Sequence, residues 1–446
     1  QNQAFKVQMF RLVDVLPNLK SSRQIGQHIR EYFSQPGVEL PSFLKLALNT
    51  LINNPITGAL AANQIRNNVH DMAERFIVAP TPKEAIPQLR KLWDTGTFFT
   101  LDILGEAVVS EKEALVFQKR YLELFDELGP EILKWPAHGA RKDTGLHRIS
   151  ISIKLSSLYS QMDPLNFAGS IETVKERLRP IFRKAKEYGA FINIDMEHYR
   201  FKDLTIAIFK SLLEEEEFNE NPSAGIVIQT YLKDSGKDLR GLIDWAKRRK
   251  RPLTVRLVKG AYWDYEQVTA RLNNWPVPVF LDKRETDNAF EVATRLCLES
   301  YPLINTAIAS HNVRSLAHGI IYAKHMELPS NACEIQMLYG MAAPIRKAML
   351  HLGYRVCEYA PIGEFLPGIS YFVRRLMENT SNESFLRQSF TGNTSAEKLL
   401  CKPEPPKICM ESLKERGVSK EEIKPFSQEP LMDFAMVNAR NHFKNA

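Results

Sequence analysis

GIVIQTYLKDSGKDLRGLIDWAKRRKRPLTVRLV, residues 225–258, carries the pattern that decides the fold. Two short apolar, β-branched runs, 225–231 and 253–258, bracket a longer stretch that reads as helix. The same alternation runs on from about residue 97. Further strand-like runs are FFTLDIL (98–104), ISISIKL (149–155), FINID (191–195), INTAIAS (304–310), ACEIQML (332–338) and YRVCEYA (354–360). Segments such as IETVKERLRPIFRKAKEY between them read as helices. Continuous apolar strands covered by helices form a parallel sheet. Eight such units predict an α/β fold, a (β/α)8 TIM-type barrel over residues 96–391. An open doubly wound sheet shows the same alternation and is the second reading, because the sequence does not display closure.

Residues 1–95 read as a helical accessory arm. QIGQHIREYF, FLKLALNTLI and NQIRNNVHDMAERFI place apolar residues three and four apart, with prolines between them. Residues 392–446 turn polar and rich in Pro and Lys, as a linker does. The 446 residues are 44% hydrophobic and 25% charged, the balance of a globular protein with a sizeable core. No apolar run approaches the ~20 residues that span a bilayer, and the N-terminus lacks a signal-peptide core. The net charge is +7, with Lys and Arg scattered. The densest run, AKRRKRP at 246–252, reads as a solvated helix end rather than a nucleic-acid site. Five cysteines without a C-x-x-C pair fit reduced thiols and argue against a disulfide or zinc framework.

In a barrel of this kind function collects at the C-terminal ends of the strands. Polar residues recur there: Lys154, Asp195 with Glu197, Gln229, Arg256, Lys259 to Trp263, Ser310-His311-Asn312, Gln336 and Tyr359. Each alone could be a buried structural ion pair; recurrence on seven strands favours a shared site at the barrel mouth. After the last strand, GEFLPGISYFVRRLMEN reads as a helix with Tyr371, Arg374, Arg375 and Glu378 on one face. Two Arg beside an aromatic ring and a carboxylate suit capture of a small carboxylate. An exposed helix laced with ion pairs is the plainer alternative.

G-x-G-x-x-G after a strand, the Walker A motif and G-x-S-x-G are absent, so a dinucleotide would have to sit in the barrel mouth. His311 reads as a hydrogen-bonding residue. Asp195, Glu197 and His198 leave open a metal-assisted lyase or hydrolase. A helical scaffold binding nucleic acid through its basic surface is the reading outside enzymology.

Two longer motifs, R-L-V-K-G-A-Y-W at 256–263 and Y-F-V-R-R-L-M-E-N at 371–379, resemble the proline dehydrogenase family. The fit is nearest to the proline dehydrogenase part of bifunctional proline utilization A. K-L-S (154–156), N-I-D-M-E (193–197), V-I-Q (227–229), S-H-N (310–312) and Y-A-P-I-G (359–363) follow in the family's order over roughly 98–390. The resemblance implies noncovalent FAD at the mouth. Its contacts would be Asp195, Val227, Gln229, Arg256, Val258, Gly260, Ala261, Trp263, Ser310, His311, Asn312 and Gln336. Lys154, Arg374 and Arg375 would anchor the carboxylate of L-proline. Tyr262, Leu338, Tyr359 and Tyr371 would pack around its ring, and Glu378 would pair with an anchoring Arg. Lys154, Arg256 and Tyr262 are the residues implied for catalysis, with no resident metal. The implied reaction is oxidation of proline to Δ1-pyrroline-5-carboxylate, the first step of proline catabolism, with electrons passed to a membrane quinone. It further implies a bacterial cytoplasmic enzyme held peripherally at the inner membrane, with homo-oligomers possible and no nucleic-acid partner. Residues 425–443 resemble the stretch before an aldehyde dehydrogenase domain, and that domain is expected to be missing from this chain.

Overall fold

The computed structural model describes residues 7–8, 11–12, 15, 18–19, 21–38, 75–105, 108–136, 147–220, 223–364, 368, 371, 374–375, 378, 395–404 and 430–445. Eight strands follow one another: β1 (Phe98–Ile103), β2 (Ser150–Ile153), β3 (Phe191–Ile194), β4 (Ala224–Gln229), β5 (Leu253–Val258), β6 (Ile304–Ala309), β7 (Cys333–Leu338) and β8 (Val356–Ile362). Every neighbouring pair is parallel, and β8 returns to pair with β1, Phe98 opposite Cys357 through Ile103 opposite Ile362. The sheet is therefore a closed barrel, and the open doubly wound alternative falls.

The strands are not the continuous apolar runs read from the sequence. Their register sorts residues onto two faces. Leu101, Ile151, Ile192, Ile226, Leu257, Ile308 and Ile335 point outward and are fully buried beneath the helices. Thr100, Asp102, Ser152, Asn193, Asp195, Gln229, Arg256 and Tyr359 point into the lumen, where several touch one another. ISISI and FINID thus alternate strictly. A barrel interior is ordinarily filled by branched apolar side chains; here the hydrophobic core lies between sheet and helices, and the lumen is polar.

The described helices are α1 (Ser22–Phe33), α2 (Pro82–Asp94), α3 (Glu111–Ile132), α4 (Phe167–Glu187), α5 (Lys202–Leu213), α6 (Ser235–Arg249), α7 (Trp263–Leu272), α8 (Lys283–Glu299), α9 (Val313–His325), α10 (Ala343–His351), α11 (Ala396–Leu400) and α12 (Val437–Asn445). QIGQHIREYF lies in α1, which opens on a capping box from Ser21 to Gln24. FLKLALNTLI and residues 63–74 of NQIRNNVHDMAERFI lie outside the described residues. α2 belongs to the barrel's core: Leu89 is fully buried, and Trp93 packs against Phe98, Phe99 and Trp135. α6 ends in Lys247, Arg248 and Arg249, as a solvated basic helix end should.

Residues 430–445, within the stretch read as a linker, instead dock on the barrel. Arg440 donates to Asp203 at 2.9 Å and to the carbonyls of Phe434 (2.8 Å) and Ala435 (2.6 Å). Its guanidinium lies 4.3 Å from the Phe167 ring centroid. Trp275 Nε1 donates to the Leu431 carbonyl. Phe167 and Asp203 open α4 and α5, so the segment lies across the same end of the barrel as the strands' C-termini. One Arg makes most of this contact, which gives periodicity little to show. Arg440→Ala should lower stability by about 1–3 kcal/mol, read as a lower Tm; an unchanged Tm would show that the docking is marginal.

Candidate active site

One hydrogen-bonded network closes the mouth. Arg256 NH1 donates to Ser152 Oγ at 3.0 Å and to Asp195 Oδ1 at 2.9 Å. The Tyr359 hydroxyl donates to Asp195 Oδ2 at 2.8 Å. Lys154 Nζ pairs with Asp102 and lies 3.4 Å from the Tyr359 hydroxyl. Strands 1, 2, 3, 5 and 8 thus meet through two cations and two carboxylates, all buried, and the half-buried phenol of Tyr359.

Burial and the neighbouring Asp195 raise the Asp102 carboxyl to about 6, against the pull of Lys154. Burial opposes charge on Lys154 as well, but Asp102 and Asp195 outweigh it and keep the ammonium. Burial pushes the Tyr359 hydroxyl well up, helped by both carboxylates, so it stays a donor.

Within this network some polar atoms have no protein partner: Nε and NH2 of Arg256, Oε1 of Gln229 and Oδ2 of Asp102. Gln229 is otherwise tied by its amide to the Met196 carbonyl at 3.1 Å. A buried donor without a partner costs about 1–3 kcal/mol. The unpaired edge of Arg256 and the Gln229 oxygen are chemically matched to a polar heterocycle carrying both donors and acceptors. At the end of β5, Gly260 has φ +132° and a Cβ there would lie 2.5 Å from the Tyr231 ring. Only glycine fits that turn, which leaves the backbone of Gly260 and Ala261 exposed at the rim. Val227 and Val258 flank Arg256 and Gln229 on the lumen side in register.

Tyr371, Arg374, Arg375 and Glu378 are helical, as the spacing predicts. Arg375 NH1 donates to Glu378 Oε2 at 2.6 Å and its guanidinium lies 5.2 Å from the Tyr371 ring. Arg374 lies 5.2 Å over the Tyr262 ring. Leu338 N donates to His311 Nε2 at 3.1 Å, so the neutral ring carries its proton on Nδ1, 3.6 Å from Glu378. Desolvation opposes ionisation of Glu378, but Arg375 and His311 hold it below its usual range. Tyr371 is buried, its hydroxyl pushed up by burial, and it feels the charges of both Arg375 and the Asp102–Lys154 pair. The helix face therefore abuts the lumen network, which sets aside the exposed ion-pair helix.

Other members of the expected set serve their own loops. Trp263 Nε1 donates to the Phe280 carbonyl. Asn312 caps α9, and Ser310 Oγ accepts from Asn312 N. Gln336 donates along its own strand to Glu334 at 2.6 Å. The metal reading does not assemble. Glu197 accepts from both N and Oγ of Ser156, while His198 lies between the rings of Tyr262 and Tyr265. No group of His, Cys, Asp and Glu among the described residues is arranged to hold a metal ion. Sequence reasoning passed over Asp102 and Ser152. Their signal was present: a carboxylate inside FFTLDIL and serines at every second position of ISISI.

A closed eight-stranded parallel barrel with a charged lumen defines an α/β TIM-type barrel. Residues 85–388 match the proline dehydrogenase family and residues 1–76 the proline utilization A N-terminal domain. The chain belongs to the proline dehydrogenase family. It is 31% identical over 314 residues to proline dehydrogenase 1 of Bacillus subtilis (strain 168), covering 70% of this chain and 89% of that one. It is 31% identical over 363 residues to the bifunctional protein PutA of Klebsiella aerogenes, covering 78% of this chain but 27% of that one. Proline utilization A from Bdellovibrio bacteriovorus, crystallised after inactivation by N-propargylglycine, superposes with a TM-score of 0.86 at 40% identity, over 100% of this chain and 44% of that one. The chain thus spans about a quarter of the length of the bifunctional curated relatives it matches. The match at 1–76 was not legible in the helical periodicity of the arm.

The Asp102 carboxyl supplies a pH test. Its value in the fold, about 6, exceeds the ordinary 3.8, so the folded state holds its proton longer than the unfolded chain. This group's contribution to stability therefore falls as pH rises from 3.8 to about 6 and is flat above. The Tm of the wild type minus that of Asp102→Asn should decline across that window and level off; a constant difference would contradict it.

Proposed function

We propose that this chain oxidises L-proline to Δ1-pyrroline-5-carboxylate, the first step of proline catabolism. The hydride leaving proline C5 goes to noncovalent FAD, whose electrons pass on to a membrane quinone. The observation that carries this reading is the buried network of Lys154, Asp102, Asp195 and Arg256, within electrostatic reach of Tyr371 beside Arg375, in a chain of this family.

The unpaired atoms of Arg256 and Gln229 support a flavin in the mouth. Asp195 holds Arg256 by one nitrogen and leaves its other edge for the cofactor. A cation there stabilises an electron-rich ring. Val227, Val258, Gly260, Ala261, Trp263, Ser310, His311, Asn312 and Gln336 complete the cradle. Lys154, Arg374 and Arg375 bind the carboxylate of proline, and Tyr262, Leu338, Tyr359 and Tyr371 wall its ring. The lumen cluster is neutral, with Lys154 and Arg256 against Asp102 and Asp195, whereas Arg374 and Arg375 exceed Glu378 by one charge. That single surplus suits a substrate whose ring nitrogen has given up its proton. Clamping the carboxylate fixes C5, an orientation worth several kcal/mol of barrier.

Among the described residues no helix is long and apolar enough to cross a membrane. A cytoplasmic enzyme docked at the inner membrane is the setting we propose, with proline and quinone as partners and no nucleic acid. Homo-oligomers are compatible with this setting. The basic end of α6 lies at the N-terminal face of the barrel, opposite the mouth, so it is not the surface that would present the flavin to a membrane.

Charge-assisted hydrogen bonds are worth ~1.5–3 kcal/mol each. Arg375→Met should therefore raise KM for proline about 10- to 100-fold with FAD retained. Arg375→Lys should recover part, since a point charge lacks the planar fork. Wild-type proline kinetics in Arg374→Met and Arg375→Met alike would remove the clamp. Separately, Arg256→Met should weaken FAD retention or slow flavin reduction by proline; unchanged flavin content and reduction rate would displace Arg256 from the cofactor site.

A further inference from the structure

His198 belongs to neither the cofactor cradle nor the carboxylate clamp, yet the first turn of α7 grips it from three directions. Its ring centroid is 4.3 Å from that of Tyr262, tilted by 49°, and 4.1 Å from that of Tyr265, tilted by 42°. Its Nδ1 lies 3.6 Å from Glu266 Oε1, beyond a direct hydrogen bond but well within electrostatic reach. Glu266 is buried and also accepts from the backbone N of Tyr199 at 2.8 Å. One carboxylate thus fixes the chain just after His198 and faces its imidazole.

The loop between Asp195 and Tyr199 joins β3 to α5, while Tyr262 caps α7 after β5. The His198 ring is therefore the wedge between two neighbouring mouth loops. Tyr262 is also the ring beneath Arg374, at 5.2 Å. Guanidinium, phenol, imidazole and phenol form an unbroken run of ring contacts: Arg374, Tyr262, His198 and Tyr265. The far end of that run, Tyr265, is 53% exposed, so without the wedge Tyr262 could turn outward along an open rim.

We infer that His198 is a positioning residue for the substrate: its ring, held by Tyr265 and Glu266, sets the Tyr262 ring on which Arg374 rests. The inference rests on the proline-oxidising reading, because it is Tyr262 and Arg374 that bind proline there. His198 acts through Tyr262 and touches no reacting atom. Its removal should therefore appear in binding and not in turnover. An aromatic partner of this kind is worth about three- to tenfold in an equilibrium constant.

The test uses the flavin-loaded protein and four variants: His198→Ala, His198→Phe, Tyr262→Ala and the double His198→Ala/Tyr262→Ala. Steady-state proline kinetics are paired with calorimetric binding of a five-membered carboxylate ether that lacks the ring nitrogen. His198→Ala should raise both KM and the ether's Kd about three- to tenfold, with kcat within about twofold. His198→Phe, which keeps a ring in the wedge, should restore most of the loss. In the Tyr262→Ala background His198→Ala should add nothing, the signature of action through that ring. Wild-type KM and Kd in His198→Ala, or an equal loss with and without Tyr262, would overturn the inference. A wild-type protein that neither turns over proline nor binds the ether would overturn the underlying reading together with it. One that turns over proline while His198→Ala matches it would overturn the inference alone.

Discussion

The Asp195–Arg256 ion pair in the barrel lumen is the interaction on which the rest depends. It joins β3 to β5, and through Ser152 and Tyr359 it reaches β2 and β8. Two buried charges at 2.9 Å repay their desolvation only when geometry and supporting hydrogen bonds are good. Here Asp195 has both oxygens engaged, by Arg256, Asn193 and Tyr359, while Arg256 keeps two nitrogens without a protein partner. The pair is thus satisfied on the carboxylate side and left open on the guanidinium side. A lumen built for stability alone would be apolar, as in most barrels; this one spends burial on orientation.

That choice explains the division of labour between the two faces of each strand. The outward residues, isoleucines and leucines for the most part, form one continuous core with the helices. The inward residues hold one another by hydrogen bonds and converge on the C-terminal ends. There the Arg374–Arg375 face meets them, oriented by Glu378 and, behind it, by the Nδ1 proton of His311. In the function proposed above, substrate charge would fall to Lys154 at a strand end and to Arg374 and Arg375 beyond the last strand, and the ring to tyrosines from both. Each element can then be rigid on its own account, which favours a precise site.

Much of this was legible in the sequence. All eight strands lie where the apolar runs place them, and the four residues spaced along 371–378 are each helical. Closure was not legible, because pairing of β8 with β1 is a long-range event that no local pattern records. The polar lumen was half legible: ISISI and FINID alternate, but LTVRLV and GIVIQ bury residues on both faces and read as continuous. Asp102 was hidden inside an apolar run, and its partner Lys154 stood 52 residues away. Residues 430–445 read as a linker because their docking depends on Arg440, at Asp203 and Phe167, and on the Leu431 carbonyl rather than on an apolar stripe.

The central claim is that this lumen positions proline against a flavin, and anaerobic titration of the purified yellow protein with L-proline tests it most directly. The account predicts that L-proline bleaches the visible band of oxidised flavin stoichiometrically and saturably, while an amino acid of similar size without the pyrrolidine ring does not. A protein that carries flavin but keeps its oxidised spectrum at saturating L-proline, with oxygen excluded, would contradict it.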